Sequence, residues 1–236
     1  MLNLILENSP ARALRLLCLG AHSDDIEIGC GGTILTLAAS RPLEICWVVF
    51  SSDRDREREA RLSAALFTKG IAQQRVIIKD FRNGFFPYVG SKIKEFFEEL
   101  KLEFSPDLVL THCRHDLHQD HRTLCELTWN TFRNHLILEY EIPKYDGDLG
   151  SPNFFVPVDQ RTCRRKIDNL CRAFGTQRGK HWFTPDTFEA LMRIRGMESC
   201  SPTKFAEGFY VRKLVMGSET SALPMRRRAK RGSFEE

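Results

Sequence analysis

The chain has 236 residues, of which 42% are hydrophobic and 28% charged, as in an ordinary globular protein. No apolar run approaches the roughly 18 residues of a membrane-spanning helix, and the first residues lack the basic start of a secretory signal. The formal charge of +4 is too small for a nucleic-acid-binding surface, so we expect no nucleic-acid partner, although it suits an anionic small substrate. Eight scattered cysteines without a CxxC pair indicate reduced thiols and a cytoplasmic location.

Strand-like and helix-like segments alternate along most of the chain. Continuous apolar runs predict strands buried on both faces, and apolar residues at helical spacing predict the helices between them. Strands and helices are predicted in turn at 15–21, 29–40, 43–52, 55–70, 75–81, 90–104, 106–112, 118–134 and 136–143, and then a strand at 154–159, helices at 160–177 and 184–197, and a last strand from 205. This order predicts one α/β domain with a doubly wound, mostly parallel sheet and helices on both faces.

The end of the chain has a different composition. Residues 218–236 are polar and lack apolar periodicity, so we predict a domain at 1–217 and a disordered basic tail at 218–236. The tail contains the run RRRAK. Without interleaved aromatic residues, such a run is more typical of a solubilising tail than of a nucleic-acid site.

Two clusters of metal-ligand residue types follow two of the predicted strands. His22, Asp24 and Asp25 follow the first strand, and His118 and His121 follow the fourth. In common doubly wound sheets these strands flank the point where strand order reverses, and ligands bind there. We therefore expect the two clusters to converge on one crevice.

The residue types favour a catalytic transition metal. His22 and Asp25 are three positions apart, as are His118 and His121, so each pair can share one face of a turn or helix. Two histidines and one aspartate around an open position are typical of catalytic zinc or ferrous sites. Asp24, next to a ligand but directed elsewhere, is placed to act as a general base. The simpler alternatives are that the two aspartates cap a helix and that the HxxH pair is a surface coincidence.

Two longer motifs resemble a known family. The segment AHSDDIEIGCGGT at 21–33 resembles the AHPDDxExGCGGT signature of the LmbE-like, or PIG-L, deacetylases, and HQDH at 118–121 resembles that family's HPDH. Weaker similarity in RDREREARLSAA, SPDLVLTH and RGMESCSPTKFAEGFYV extends the resemblance over about residues 13–215. It implies a Rossmann-like fold and a zinc-dependent removal of an acyl group, usually acetyl, from an N-acylglucosamine unit.

Matched position by position, the resemblance implies roles for individual residues. The implied metal ligands are His22, Asp25 and His121. Asp24 matches the general base, His118 matches a histidine that stabilises the oxyanion and can protonate the leaving amine, and Asp120 matches the residue that orients this histidine. Ser23 and Gln119 replace prolines of the family motifs, which leaves the functional residue types intact.

The resemblance implies two further roles for which more than one residue is a candidate. Arg56 resembles a sugar-contacting arginine, and Arg54 and Arg58 compete with it for the register. Some family members use a tyrosine near the oxyanion, for which Tyr88 and Tyr140 are the candidates.

We therefore expect a metal-dependent N-deacetylase acting on an N-acetylglucosamine-type substrate, such as a sugar nucleotide, glycolipid or glycoconjugate precursor. Zn²⁺ is the expected cofactor and Fe²⁺ the alternative. The second hypothesis is an amide hydrolase of the same fold acting on an N-formyl sugar or an acylated natural product. A metal-holding scaffold without turnover would need neither Asp24 nor His118. Arg56 and the basic stretch 161–166 lead us to expect an anionic group on the substrate, and the sequence does not indicate an oligomeric state.

Overall fold

The computed structural model describes residues 12–215, so the predicted tail at 218–236 and the boundary at 217 lie outside the described residues. The strands in this range are β1 Leu14–Gly20, β2 Leu43–Val49, β3 Gln73–Ile78, β4 Leu108–His112, β5 Leu136–Tyr140, β6 Phe154–Val158 and β7 Phe205–Tyr210. The α-helices are α1 Asp25–Ser40, α2 Arg54–Phe67, α3 Gly90–Glu103, α4 Gln119–Thr131, α5 Gln160–Ala173 and α6 Pro185–Glu198, with 3₁₀ turns at Phe86–Tyr88 and Gly175–Gln177. Between residues 12 and 215, no helix is both long enough and apolar enough to cross a bilayer.

All seven described strands belong to one sheet, in the order β3-β2-β1-β4-β5-β7-β6. The pairs from β3 to β5 are parallel, and β7 runs antiparallel to both of its neighbours. The edge strand β6 contains Pro157, which has no N–H to donate and suits an edge. The chain reverses its winding between β1 and β4, the two strands that precede the predicted clusters. The predicted mostly parallel α/β fold is confirmed.

Helices cover both faces of the sheet because successive strand residues point to opposite sides. In β1, Leu16 and Cys18 pack in the core that includes α1, α2, α5 and α6, whereas Leu17 and Leu19 pack in the core that includes α3 and α4. The loops that leave the C-terminal ends of β1 and β4 are therefore anchored in two packed cores.

Helix α1 begins at Asp25, four residues before the predicted start, and is buried as far as residue 35. Two glycines let it approach its neighbours closely. A Cβ atom at Gly29 would lie 2.1 Å from the ring of Tyr140, and one at Gly31 would lie 2.5 Å from the ring of Phe67. This close packing fixes the N-terminus of α1, where the predicted ligand and base reside.

A buried ion pair ties α1 to α5 and β7. The ammonium of Lys166 lies 2.6 Å from Oε1 of Glu207 and also donates to the carbonyl of Ile28 at 2.6 Å. The Glu207 carboxylate accepts from the backbone N–H groups of Gly32 and Thr33 at 2.8 and 2.6 Å. Both charged side chains are only 3% exposed, so neither can exchange its partner for water.

We predict that Lys166→Met destabilises the fold by about 3–5 kcal/mol, because it leaves the Glu207 carboxylate buried without a cation. The control is Arg75→Met, which breaks a pair with Glu103 that is more than half exposed and should cost less than about 1 kcal/mol. Urea unfolding of both variants measures the two free energies. A loss for Lys166→Met no larger than that for the control would contradict the prediction.

Candidate active site

The loops after β1 and β4 bring the predicted metal ligands together. Nδ1 of His22 lies 3.1 Å from Nε2 of His121, and Oδ2 of Asp25 lies 3.4 and 3.5 Å from these two nitrogens. A tetrahedral zinc ion with bonds of about 2.0–2.2 Å has its ligand atoms about 3.3–3.6 Å apart. The two distances to Asp25 fall in this range, and the distance between the two histidine nitrogens is slightly shorter. The three atoms are thus close to one face of a tetrahedral site, and the fourth position would be left for water or substrate.

Carboxylates hold both histidines on their opposite ring nitrogens. Nε2 of His22 lies 3.2 Å from Oδ2 of Asp120, and Nδ1 of His121 lies 2.8 Å from Oδ2 of Asp116. Metal-binding histidines commonly donate their other N–H to a carboxylate, which fixes the tautomer and the ring orientation. Here this arrangement directs one nitrogen of each ring toward Asp25. The sequence reasoning missed Asp116, and its position two residues before the HQDH segment was the available signal.

Asp120 differs from its predicted role. Its carboxylate contacts His22 rather than His118 and accepts from the backbone N–H groups of Gly84 at 2.6 Å and Phe86 at 3.0 Å. Only the backbone N–H of Asp120 reaches His118, at 3.2 Å. As the second residue of α4, its side chain reaches across to the loop after β1 and to the loop after β3. The contacts therefore make Asp120 a support for His22.

His118 is the N-cap of α4, and its Nδ1 accepts the hydrogen bond from Asp120. In the neutral ring the proton must then be on Nε2, which can donate. Burial and the nearby charge of His22 lower the pKa of His118, so the neutral form prevails at pH 7. Its ring lies 4.8 Å from that of His22 and 4.6 Å from that of His121. His118 thus provides a neutral donor beside the ligand cluster.

A third ligand-type histidine was not predicted. His112 ends β4, is fully buried, and places Nε2 3.2 Å from Oδ2 of Asp25. Asp25, His112 and His121 form a second group with metal-ligand spacing, and His22, His118 and His121 form another. However, Nε2 of His112 accepts from the backbone N–H of Ala21 at 3.0 Å, which occupies its lone pair. This favours His22 over His112 as the third ligand.

Asp24 is the N-cap residue of α1, yet its side chain makes no capping hydrogen bond. Its Oδ1 instead accepts from the Arg56 guanidinium at 2.7 Å. Burial raises the pKa of Asp24, and the Arg56 charge opposes this shift. The capping alternative therefore does not explain this carboxylate, which lines the open cleft beside the ligand cluster.

Among the three competing arginines, Arg56 is the one in the cleft. Its side chain is 16% exposed, whereas that of Arg58 is 81% exposed and pairs with Asp55. Arg56 also donates to Thr176, in the loop after α5, at 3.1 Å. It therefore joins the loop after β1, through Asp24, to the loop after α5.

The charges around the ligand atoms favour a bound cation. Burial would raise the pKa of Asp25, but the three neighbouring histidines hold it well below its usual range. Burial would lower the pKa of His22, but the carboxylates of Asp25 and Asp120 raise it to about 10. Burial and the neighbouring His112 lower the pKa of His121 to about 3. The carboxylates thus attract positive charge to the position where the ligand atoms meet.

The cluster lies in a cleft of about 680 Å³, a size typical of small-molecule sites. The residues that line the cleft come from six loops or the helix turns that follow them. They are His22, Ser23, Asp24, Asp25, Ser51, Ser52, Asp53, Arg56, Asp80, Phe81, Arg82, Asn83, His118, His121, Ile142, Lys144, Tyr145, Asp146, Gln177, Lys180 and Trp182. Neither predicted oxyanion tyrosine is among them: Tyr140 donates to the Leu19 carbonyl inside the core, and Tyr88 is 76% exposed elsewhere. The tyrosine that lines the cleft is Tyr145.

The basic stretch 161–166 does not line the cleft either. Arg165 donates to the carbonyl of Leu66, in the last turn of α2, whereas the cleft residue Arg56 lies in the first turn. The Lys166 ammonium is already paired with the buried Glu207 carboxylate. The expectation that this stretch contacts the substrate is therefore wrong, because α5 carries it along α2 to the end remote from the site.

The fold and the site define a class: α/β enzymes with a His/Asp ligand cluster at the reversal point of the sheet and an additional carboxylate beside it. Residues 17–132 match the family model described as PIG-L: GlcNAc-PI de-N-acetylase. The chain therefore carries a PIG-L (LmbE-like) family domain over these residues, which confirms the resemblance in the sequence motifs. No curated protein sequence matches the chain closely enough to be counted as a relative.

Several solved structures share the fold. The N,N'-diacetylchitobiose deacetylase of Pyrococcus horikoshii is 21% identical, with 88% of this chain and 87% of that chain covered and a TM-score of 0.65. The zinc-inhibited form of teicoplanin deacetylase Orf2 is 13% identical, with 84% and 95% covered and a TM-score of 0.60. GalB, the 4-carboxy-2-hydroxymuconate hydratase of Pseudomonas putida, is 15% identical, with 87% and 98% covered and a TM-score of 0.66. The same fold thus carries more than one reaction, and the site residues must decide between them.

We predict that Asp116→Ala weakens zinc binding by about 10–100-fold, because His121 loses the carboxylate that orients its ring. The matched control is Asp148→Ala. Asp148, like Asp116, pairs with Lys144, but no contact joins it to His121. Competition with a chromogenic chelator measures both affinities, and thermal melting checks that both variants fold. Equal affinities in the two variants would contradict the role assigned to Asp116.

Proposed function

We propose that the chain is a metal-dependent N-deacetylase that removes an acetyl group from an N-acetylglucosamine-type substrate. The observation that best supports this proposal is that two adjacent aspartates make different contacts. Asp25 meets two histidine nitrogens at metal-ligand distances, whereas Asp24 turns to Arg56 and the open cleft. A site that only stores a metal would need no second carboxylate of this kind.

The proposed ligands of the divalent ion are His22, Asp25 and His121. When bound, such an ion polarises an acyl carbonyl and makes a water molecule acidic enough to attack it near neutral pH. The donor set of two imidazoles and one carboxylate suits zinc or ferrous iron. We therefore propose Zn²⁺, with Fe²⁺ as the alternative. The two metals need a direct comparison, because teicoplanin deacetylase Orf2, which shares the fold, has been solved in a zinc-inhibited form.

The residues of the chain supply the remaining steps. Asp24 accepts the proton that the attacking water loses, and Arg56 keeps this carboxylate in place. His118 donates from Nε2 to the carbonyl oxygen as negative charge develops there, which is usually the largest contribution to catalysis. The departing nitrogen needs one proton, and the proton held by Asp24 is available for it. The products are the free amino sugar and acetate.

The second hypothesis retains the chemistry and changes the acyl amine. The same residues could hydrolyse an N-formyl sugar or an acylated natural product, and teicoplanin deacetylase shares the fold. Mass spectrometry of the metal-loaded protein with N-acetyl sugars, N-formyl sugars and acylated glycopeptides separates the alternatives by the mass that is lost.

We predict that Asp24→Asn retains the metal but lowers kcat by about 10²–10⁴-fold, because an amide cannot accept the proton from water. Asp25→Ala should instead lose metal, and excess metal should restore part of its activity. Metal content and acetate release are measured side by side on both variants.

The control for charge and isosteric change is Asp168→Asn, at an exposed position of α5 outside the cleft, which should leave both readouts unchanged. If Asp24→Asn loses its metal while Asp25→Ala keeps it, the two roles are reversed. Normal turnover by Asp24→Asn would rule out the proposed general base.

A further inference from the structure

The part of the cleft contributed by residues beyond 132 has no assigned role. Every residue given a chemical role above lies within 17–132, the range of the family match. The lining residues beyond 132 come from the loop after β5 and the loop between α5 and α6. The two loops touch, because the backbone N–H of His181 donates to the hydroxyl of Tyr145 at 3.3 Å. They form one continuous part of the lining, here called the outer wall and defined as residues 142–146 and 177–182.

The outer wall is attached to the reaction centre. Arg56 donates to Asp24 at 2.7 Å and to Thr176 at 3.1 Å, and Thr176 directly precedes the outer wall. The Phe174 ring lies under the same guanidinium, with its centroid 5.6 Å away. The two hydrogen bonds of Arg56 therefore connect the proposed general base to the loop between α5 and α6. This loop is therefore within reach of a substituent next to a substrate amide that lies at Asp24.

Trp182 gives the outer wall a fixed aromatic surface. The indole is half-buried and packs against the core that includes α1, α2, α5 and α6. It meets the buried Phe183 ring edge-on, with ring centroids 5.6 Å apart and ring planes at 72°. A ring held this way offers a flat surface without losing much conformational freedom on binding. The exposed Tyr145, on the other loop, adds a second aromatic ring to the same cleft.

Lys180 brings a positive charge to the outer wall. Of the other basic residues that line the cleft, Arg56 pairs with Asp24 and Glu59, and Lys144 pairs with Asp116 and Asp148. Arg82 lies over the Phe85 ring, 3.5 Å from its centroid, on the loop after β3 and outside the outer wall. Arg178 belongs to the outer wall but does not line the cleft, and it donates to the Cys171 carbonyl. Among residues 12–215, no carboxylate forms an ion pair with Lys180. Its ammonium lies 5.3 Å from the centroid of the Trp182 ring, a cation–π contact that an anionic ligand can replace with a stronger one.

We propose that Lys180 and Trp182 form a subsite for a phosphorylated, ring-bearing substituent on the amino sugar, with the ring stacked on Trp182 and the phosphate at Lys180. This inference rests on the proposed function and specifies its substrate class: an N-acetylglucosamine unit linked through phosphate to a further ring, as in a nucleoside diphosphate sugar. It replaces the basic stretch 161–166 by Lys180 as the source of preference for an anionic substrate.

Four substrates separate the two parts of the subsite. They are methyl N-acetyl-β-glucosaminide, with neither feature; N-acetylglucosamine 1-phosphate, with the charge; N,N'-diacetylchitobiose, with a second ring; and UDP-N-acetylglucosamine, with both. The full-length, metal-loaded protein is assayed by acetate release, and kcat/KM should be highest for UDP-N-acetylglucosamine.

The Lys180 and Trp182 variants should lower kcat/KM for different pairs of these substrates. Lys180→Met should lower kcat/KM about tenfold for the two phosphorylated substrates, as expected for the loss of a hydrogen bond to a charged group, and leave the two neutral ones unchanged. Trp182→Ala should lower it about tenfold for the two substrates with a second ring, as for a lost stacking contact. The control is Lys92→Met, an exposed lysine of α3 outside the cleft, which should change none of the four values. Thermal melting of each variant confirms that it folds.

A binding measurement keeps the subsite testable apart from turnover. Calorimetry of UDP-N-acetylglucosamine with Asp24→Asn should show binding that weakens about tenfold when Lys180→Met is added. If no sugar is deacetylated but this difference persists, the proposed function fails and the subsite stands. If sugars are deacetylated and the Lys180 and Trp182 variants lower all four values equally or not at all, the subsite is wrong. The absence of both turnover and binding would overturn both proposals.

Discussion

The arrangement of the site depends on one buried oxygen atom, Oδ2 of Asp25. It accepts from the backbone N–H of His22 at 2.6 Å and lies within 3.5 Å of ring nitrogens of His22, His112 and His121. A buried carboxylate surrounded by imidazoles is stable only if positive charge is supplied, as a proton or as a metal ion. Under the proposed function, this charge is supplied by a divalent ion bound to the same side chains.

The position of this oxygen is set by the packing of α1. The helix lies close to Tyr140 and Phe67 because glycines face both rings, and the buried Lys166–Glu207 pair secures its third turn. The consequence is that adjacent residues at the start of α1 serve different purposes. Asp25 points to the histidines of the loop after β1, of β4 and of α4, and Asp24 points to Arg56 and the cleft. The core and the chemistry are therefore coupled through a single helix.

How much of this site could be predicted depends on how far apart along the chain the contacting residues lie. The strands and the ligand clusters were readable, because ligand spacing is local and parallel strands end at one edge of the sheet. His112 was missed because its contact with Asp25 forms only when β4 is folded beside β1. Asp116 contacts His121 five positions further along, so its signal was local and was overlooked. The contact of Asp120 with His22 spans 98 positions along the chain, so a motif match could not distinguish it from a contact with His118.

The proposed subsite at Lys180 and Trp182 shows the same limitation for charge. A run of basic residues at 161–166 is conspicuous in the sequence, but α5 carries it to the far end of α2. Lys180 is an isolated lysine in a loop, and only the three-dimensional structure places it beside Trp182 in the cleft.

The most direct test of the central claim is anomalous diffraction at the absorption edge of the bound metal, from crystals of the loaded protein. The account predicts one ion about 2.0–2.2 Å from Nδ1 of His22, Oδ2 of Asp25 and Nε2 of His121, with the Asp24 carboxylate outside the coordination sphere. An ion bound by His112 or His118 in place of His22, or one coordinated by Asp24, would contradict it.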